Sequence, residues 1–162
     1  MRAHTREDFA VGAKIWADPI VFKYIGGAAS SPQRSWARLL DYAGLWVLLG
    51  YGYWAVEENA TGAYIGDVGF GDFQREIATS MRDVPEFGWV LAPSAHGRGL
   101  ATEATFAARE WGDQHLPGSR TVCIIDGANT ASIRIAEKLG FNLLEHGLYN
   151  GTDTLFFERI RA

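Results

Sequence analysis

Residues Glu86–Thr102 read EFGWVLAPSAHGRGLAT, and the rest of the chain is organised around them. Glu86–Leu91 has the alternation of a strand, with Phe87, Trp89 and Leu91 on one face and Glu86, Gly88 and Val90 on the other. A turn through Pro93 follows, and Gly97-Arg98-Gly99-Leu100-Ala101 opens a helix expected to run from Gly97 to His115. A helix start holds backbone N–H groups without intrahelical partners, at the positive end of the macrodipole. Two glycines there remove the Cβ atoms that would keep an anion's oxygens at a distance. The stretch is therefore suited to seat a phosphate or pyrophosphate.

Other readings of the glycines fare differently. A dinucleotide fingerprint needs a third glycine where Thr102 stands, and an acidic strand end about 20 residues on. A Walker loop needs Gly-Lys-Ser/Thr, which the chain lacks. A helix start that merely needs tight backbone remains the plain alternative.

His96-Gly-Arg-Gly-Leu-Ala101 resembles the Gln/Arg-x-x-Gly-x-Gly/Ala motif of the GNAT N-acetyltransferases, whose backbone amides hold the pyrophosphate of acetyl-CoA. Asn129-Thr-Ala-Ser132, continuing to Lys138-Leu-Gly140-Phe141, is similar to the family's second marker. Asp18-Pro-Ile-Val-Phe-Lys-Tyr-Ile-Gly26 resembles the branch that includes the ribosomal-protein N-terminal (alanine) acetyltransferases. The likeness runs from about Glu7 to Arg159. His96 stands where the family has Gln or Arg, so the contacts implied there are through backbone. The resemblance implies an α/β fold: a mixed, mostly antiparallel twisted sheet, flanked by helices, with a V-shaped splay between two central strands. It implies cofactor contacts from His96, Gly97, Arg98, Gly99, Leu100, Ala101 and Thr102 to the pyrophosphate. Val90 and Leu91 would pair with pantetheine by backbone, Asn129 would bond the same arm, and Ser132 would approach the thioester sulfur.

Working outward, Met1–His4 is expected as the remainder of a first strand. Thr5 and Asp8 offer caps for a helix through about Trp16. Asp18-Pro19 breaks it, and Ile20–Tyr24 forms a further turn or two. Ser31-Pro32 opens a helix to about Leu49, with Trp36, Leu39, Leu40 and Ala43 inward. The period then changes to two: Tyr51–Glu57 and Ala63–Phe73 read as antiparallel strands around the turn Asn59–Gly62. Glu76–Val84 is a polar connection. Thr121–Ile125 is a short buried strand, Asn129–Leu139 a helix ended by Gly140, and Leu143–Leu148 and Thr154–Ile160 strands around Asn150-Gly151. No linker or repeat interrupts the order, so one domain over residues 1–162 is expected.

At 48% apolar and 21% charged residues, the composition is that of a globular protein with a real core. A net charge of −4 with scattered Lys and Arg gives no footprint for nucleic acid. The lone Cys123 excludes an intrachain disulfide and reads as a small core residue, and the four dispersed histidines lack metal-site spacing. No signal peptide or membrane-spanning run is recognised, so no membrane partner and a cytoplasmic location are expected. The sequence leaves a homodimer open.

Acetyl transfer from a thioester needs a neutral amine, a donor for the oxyanion and a proton for the leaving thiolate. Glu86, opening the strand that leads into the turn, is the first candidate for general base, as in several members of the family it resembles; Asp67 is the reserve. Ser132 is the candidate partner of the thiolate, with Tyr149 the alternative donor. Asn129 also fits an ordinary N-cap for Ser132's amide. Trp16, Phe22, Tyr24 and Ile25 are candidates for the acceptor pocket. The expected activity is acetyl-CoA-dependent N-acetylation of an amine acceptor, a peptide N-terminus or a small molecule, by direct attack in a ternary complex. A non-catalytic acyl-CoA-binding sensor on the same fold is the rival.

Overall fold

The computed structural model describes residues 1–76 and 81–161. Local sequence signals account for most element boundaries. Helix α1 (Phe9–Trp16) follows a 3₁₀ turn at Arg6–Asp8, where the Asp8 carboxylate accepts the Thr5 N–H at 2.8 Å and both its oxygens accept from Arg2. In α2 (Pro19–Phe22) the Asp18 side chain accepts the Ile20 N–H. In α3 (Pro32–Leu49) Ser31 caps Arg34's N–H at 3.1 Å, and Gly50 ends the helix in the left-handed region. Strands β1 (Tyr53–Glu57), β2 (Tyr64–Gly71) and β3 (Glu86–Leu91) follow. Then come α4 (Leu100–His115), β4 (Arg120–Asp126), α5 (Thr130–Lys138) and the hairpin β5 (Asn142–Tyr149) with β6 (Thr152–Ile160). Of the expected polar connection Glu76–Val84, residues 77–80 lie outside the described residues.

Three expectations need correction. Residues 1–4 contribute only a bridge, in which the backbones of Arg2 and Ala55 exchange two hydrogen bonds, rather than a strand. The long helix begins at Leu100, not Gly97, because Gly97 (φ 70°) and Gly99 (φ 80°) are left-handed and cannot be helical. On α3 the inward stripe is Ser35, Leu39, Tyr42 and Trp46, about one residue round from the expected one, so Leu40 and Ala43 are exposed. Aromatic contacts set that rotation. Tyr42 stacks on Tyr53 with ring centroids 4.4 Å apart, and Trp46 donates its indole N–H to the Tyr53 carbonyl at 2.9 Å.

The six strands form one sheet in the order β1-β2-β3-β4-β6-β5. Every neighbouring pair is antiparallel except β3–β4, which is parallel and joined by the crossover through α4. Phe70 and Phe87 stack at 4.5 Å on the face under α4, where Ala104, Ala108 and Gly112 let the helix approach closely. Each such ring contributes about 1.5–3 kcal/mol by burial. The other face of β1 and β2 lies under α1 and α3.

Gly69 sits where β1 and β2 approach: an added Cβ would collide with the Gly52 carbonyl and the Tyr53 Cα. Both obstacles are backbone and cannot rotate away. Gly69→Ala is expected to destabilise the fold by about 1–3 kcal/mol or more. A urea midpoint equal to that of the parent chain would refute this.

Candidate active site

The site begins with a defect in the sheet. Of the six residues of β3 only Glu86 has a register partner on β4, Val122, with the Val122 N–H donating to the Pro85 carbonyl at 3.1 Å. On the other side β3 pairs with β2 over its whole length, from Gly71↔Glu86 to Gly66↔Leu91. Ladder parity then decides which backbone groups face the opening. Ala92 donates to the Ile65 carbonyl, so Val90–Asp67 two residues back is also a hydrogen-bonded pair, and Val90's backbone points to β2. The odd-numbered residues point the other way, presenting the N–H and C=O of Trp89 and the N–H of Leu91 to the opening. The Leu91 carbonyl accepts from His96 Nε2 at 2.9 Å, which assigns the ring proton to that nitrogen. This corrects the expectation for Val90: it lines the cavity but does not offer it backbone.

At the end of this strand the chain passes through a 3₁₀ turn (Pro93–Ala95) into α4. The N–H groups of Gly97, Arg98, Gly99, Leu100, Ala101 and Thr102 have no acceptor among the described residues. A Cβ built on Gly97 or Gly99 meets nothing within 4 Å, so the outer side of the turn is open. The Arg98 guanidinium is turned away to pair with Glu58, and the His96 ring is held by Leu91. Leu100 and Ala101 pack their side chains on the core. What the turn presents is therefore backbone: six N–H groups at a helix's positive end.

Between β3 and β4 lies a cavity of about 250 Å³. Its walls include three of the four expected acceptor-pocket residues, Trp16, Tyr24 and Ile25, but not Phe22. Asn129 and Ser132 line it from the start of α5. The Asn129 side-chain oxygen caps the Ser132 N–H at 3.1 Å, leaving the Asn129 amide nitrogen and the Ser132 hydroxyl without a partner among the described residues.

Glu86 is in the cavity wall but is not a free carboxylate. Arg75 donates to both of its oxygens, from Nε at 2.7 Å and Nη2 at 2.9 Å, in a bidentate pair with side chains 27% and 12% exposed. Burial works to lower Arg75's hold on its proton, and the bonds to Glu86 outweigh it, so the guanidinium stays charged. The third arm of Arg75, Nη1, donates to the Tyr149 hydroxyl at 3.1 Å and leaves that phenol's own proton free. Asp67, the reserve base, lies beneath the cavity wall rather than in it. The residue is 1% exposed, and its carboxylate is bonded by Tyr64 Oη at 2.6 Å, His4 Nε2 at 2.8 Å and Trp16 Nε1 at 3.3 Å. Cys123 is a core residue, and burial, then the charge of Glu86, pushes its thiol well above the ordinary value.

Two groups were not anticipated from the sequence. Arg75 comes from an irregular connection with no local signal. Tyr53 reaches the cavity across the sheet: Gly69 and Gly88 are its register neighbours on β2 and β3, and a Cβ on Gly88 would collide with the Tyr53 hydroxyl. Interior strand glycines mark such close approaches, so Gly69 and Gly88 were the available signal.

A six-stranded, mostly antiparallel open sheet that parts beside an amide-rich turn defines the acetyltransferases of the GNAT class. The chain belongs to that family: residues 1–142 match the family model described as the acetyltransferase (GNAT) domain. It is 31% identical to the uncharacterized protein YkkB of Bacillus subtilis over 140 residues, 85% of this chain and 77% of that one. A Bordetella pertussis protein described as a GnaT-family acetyltransferase superposes with a TM-score of 0.86 at 26% identity, covering 99% of this chain and 93% of the other. The yncA protein of Salmonella typhimurium, solved with its cofactor acetyl-CoA, gives 0.75 at 25% identity over 98% and 91%.

The Tyr53–Gly88 contact is open to a double-mutant cycle. Gly88→Ala is expected to cost about 1–3 kcal/mol through the clash with the hydroxyl. Adding Tyr53→Phe removes the clashing oxygen and leaves Cζ 3.3 Å from the new methyl, so much of the loss should return. Strict additivity in denaturant unfolding would contradict the geometry.

Proposed function

We propose that the chain is an acetyl-CoA-dependent N-acetyltransferase that moves the acetyl group to a primary amine, on a peptide N-terminus or a small molecule, by direct attack in a ternary complex. The observation that carries the reading is the single β3–β4 residue pair, because it exposes backbone to a cavity beside a turn rich in free N–H groups. The amides of Gly97–Thr102 hold the pyrophosphate. The backbones of Trp89 and Leu91 pair with pantetheine amides, and the Asn129 side-chain nitrogen donates to the same arm.

Chemistry follows from what the cavity wall can do. The amine enters neutral, having lost one proton to water, and its nitrogen forms a bond to the thioester carbon. The C–S bond then breaks, the nitrogen gives its second proton to water, and the thiolate takes one from Tyr149, whose phenolate is reprotonated by water. Tyr149 suits that task because Arg75 holds its oxygen and leaves its O–H free. Glu86, with both oxygens on Arg75, fixes this arm rather than removing the amine's proton. Ser132 donates a hydrogen bond to the sulfur as charge builds on it. Much of the rate then comes from holding amine and thioester together. A non-catalytic sensor would share the turn and the opening but would not need an Arg-oriented phenol in the cavity wall.

Three outcomes are expected. Gly99→Glu, which places a negative side chain in the turn's open side, should weaken acetyl-CoA binding roughly 10²-fold in calorimetry with the far-ultraviolet spectrum intact. Undiminished binding would move the pyrophosphate elsewhere. With free thiol as the readout, the acid limb of the pH–rate profile should follow the acceptor, lying about two units lower for an α-amino group than for a lysine-like amine. Glu86→Gln should lower turnover about tenfold and keep that limb. A limb common to both acceptors and lost in Glu86→Gln would make Glu86 the base after all.

A further inference from the structure

Tyr53 is 6% exposed, its hydroxyl has no hydrogen-bond partner among the described residues, and it lines the cavity. The rest of the side chain is buried and the oxygen opens on the cavity, so what bonds to it there is a ligand or a water. The placement is also built. Register aligns Tyr53 with Gly69 and Gly88, and without a side chain at Gly88 the phenol oxygen reaches β3 two residues past Glu86, where β3 and β4 have just parted. Stacking on Tyr42, at 4.4 Å and 9°, holds the ring in place.

We infer that the Tyr53 hydroxyl oxygen receives an N–H of the acceptor's amino group, and that the acceptor is a compact primary monoamine with an aromatic or apolar body. This rests on the acetyl-transfer reading and narrows it. The oxygen stays a neutral phenol: burial, then the nearby charge of Glu86, pushes the group well above its ordinary value. It can therefore accept from the amine while its own proton points elsewhere. The body of the acceptor meets Trp16, Tyr24 and Tyr42. The cavity of about 250 Å³ is already below the roughly 300–1,000 Å³ of sites for drug-sized ligands, and it must also admit the end of the pantetheine arm, so the acceptor's share is smaller still. A polyamine would have to lose the hydration of its further ammonium groups here; of the two carboxylates in the cavity wall, Glu86 is already neutralised by Arg75, and Asp126 stands at the end of β4 beside Asn129, on the side given to the pantetheine arm.

The test uses the full chain with 2-phenylethylamine and spermidine as acceptors and release of free thiol as the readout, beside calorimetry with acetyl-CoA. The parent chain is expected to favour 2-phenylethylamine in kcat/KM. Tyr53→Phe should lower kcat/KM for 2-phenylethylamine about tenfold, chiefly through KM, with acetyl-CoA affinity within twofold. Its unfolding midpoint should not fall, since the hydroxyl bonds to nothing among the described residues; a lower midpoint would assign the hydroxyl a structural role and overturn the inference. So would a kcat/KM for Tyr53→Phe within twofold of the parent's, or a parent preference for spermidine. A parent chain that binds acetyl-CoA yet acetylates neither amine overturns the monoamine assignment. One that does not bind acetyl-CoA overturns the underlying reading instead.

Discussion

Everything in this molecule that concerns chemistry depends on two strands that pair at one point and then part. A parallel pair in the middle of a sheet normally satisfies its backbone along its length, and N–H and C=O groups left without partners are costly away from water. Here β3 gives up that pairing beyond Glu86↔Val122, and nothing in the described chain replaces it at Trp89. The stability of the rest makes this tolerable. β3 is fully paired to β2, β4 is paired to β6 over seven residues, and Phe87 is stacked on Phe70 under α4. The exposed edge is thus held rigid from both outer sides, as a binding strand must be if it is to be pre-organised.

The turn obeys the same logic at its own scale. Six successive N–H groups without acceptors among the described residues are tolerable at a helix start only because the start is open to solvent. Left-handed glycines at 97 and 99 make the geometry inexpensive, whereas a residue with a Cβ would lose about 1–2 kcal/mol at each. The two side chains in the turn that carry nitrogen donors are both engaged elsewhere, Arg98 with Glu58 and His96 with Leu91. What the turn can offer an anion is consequently backbone, which is compatible with His at a position where the family it resembles has Gln or Arg.

What could be read from the sequence was whatever local chemistry determines. Proline at the start of α3, the Asn129 cap, the period-two strands and the Asn150-Gly151 hairpin all act over a few residues, and those elements appear where they were expected. The glycine pair located the turn, although left-handed backbone delays the helix to Leu100. Long-range choices were not legible. The rotation of α3 is set by Tyr42 on Tyr53 and Trp46 on the Tyr53 carbonyl, contacts made across 7–11 residues and a change of element. Which edge of Val90 faces the opening is a parity question that only the register with β2 answers. The state of Glu86 depends on Arg75, eleven residues upstream in an irregular connection.

The Arg75–Glu86 pair leaves neither oxygen of this cavity-wall carboxylate free of a guanidinium bond. A bidentate guanidinium takes both oxygens, and a proton could be accepted there only by giving up at least one charge-assisted bond. Removing one partner of such a pair in a largely buried setting leaves an uncompensated charge, at about 3–5 kcal/mol. Stability alone does not account for the pair, because a hydrophobic pair of similar volume often does as well. Its geometry has another consequence, since the remaining arm of the same guanidinium fixes Tyr149. Arg75 thereby ties a residue of β3, at the point where the strands part, to one at the end of β5 on the far edge of the sheet. The cavity's two walls are linked by one planar cation, and a change in either wall must be felt at the phenol.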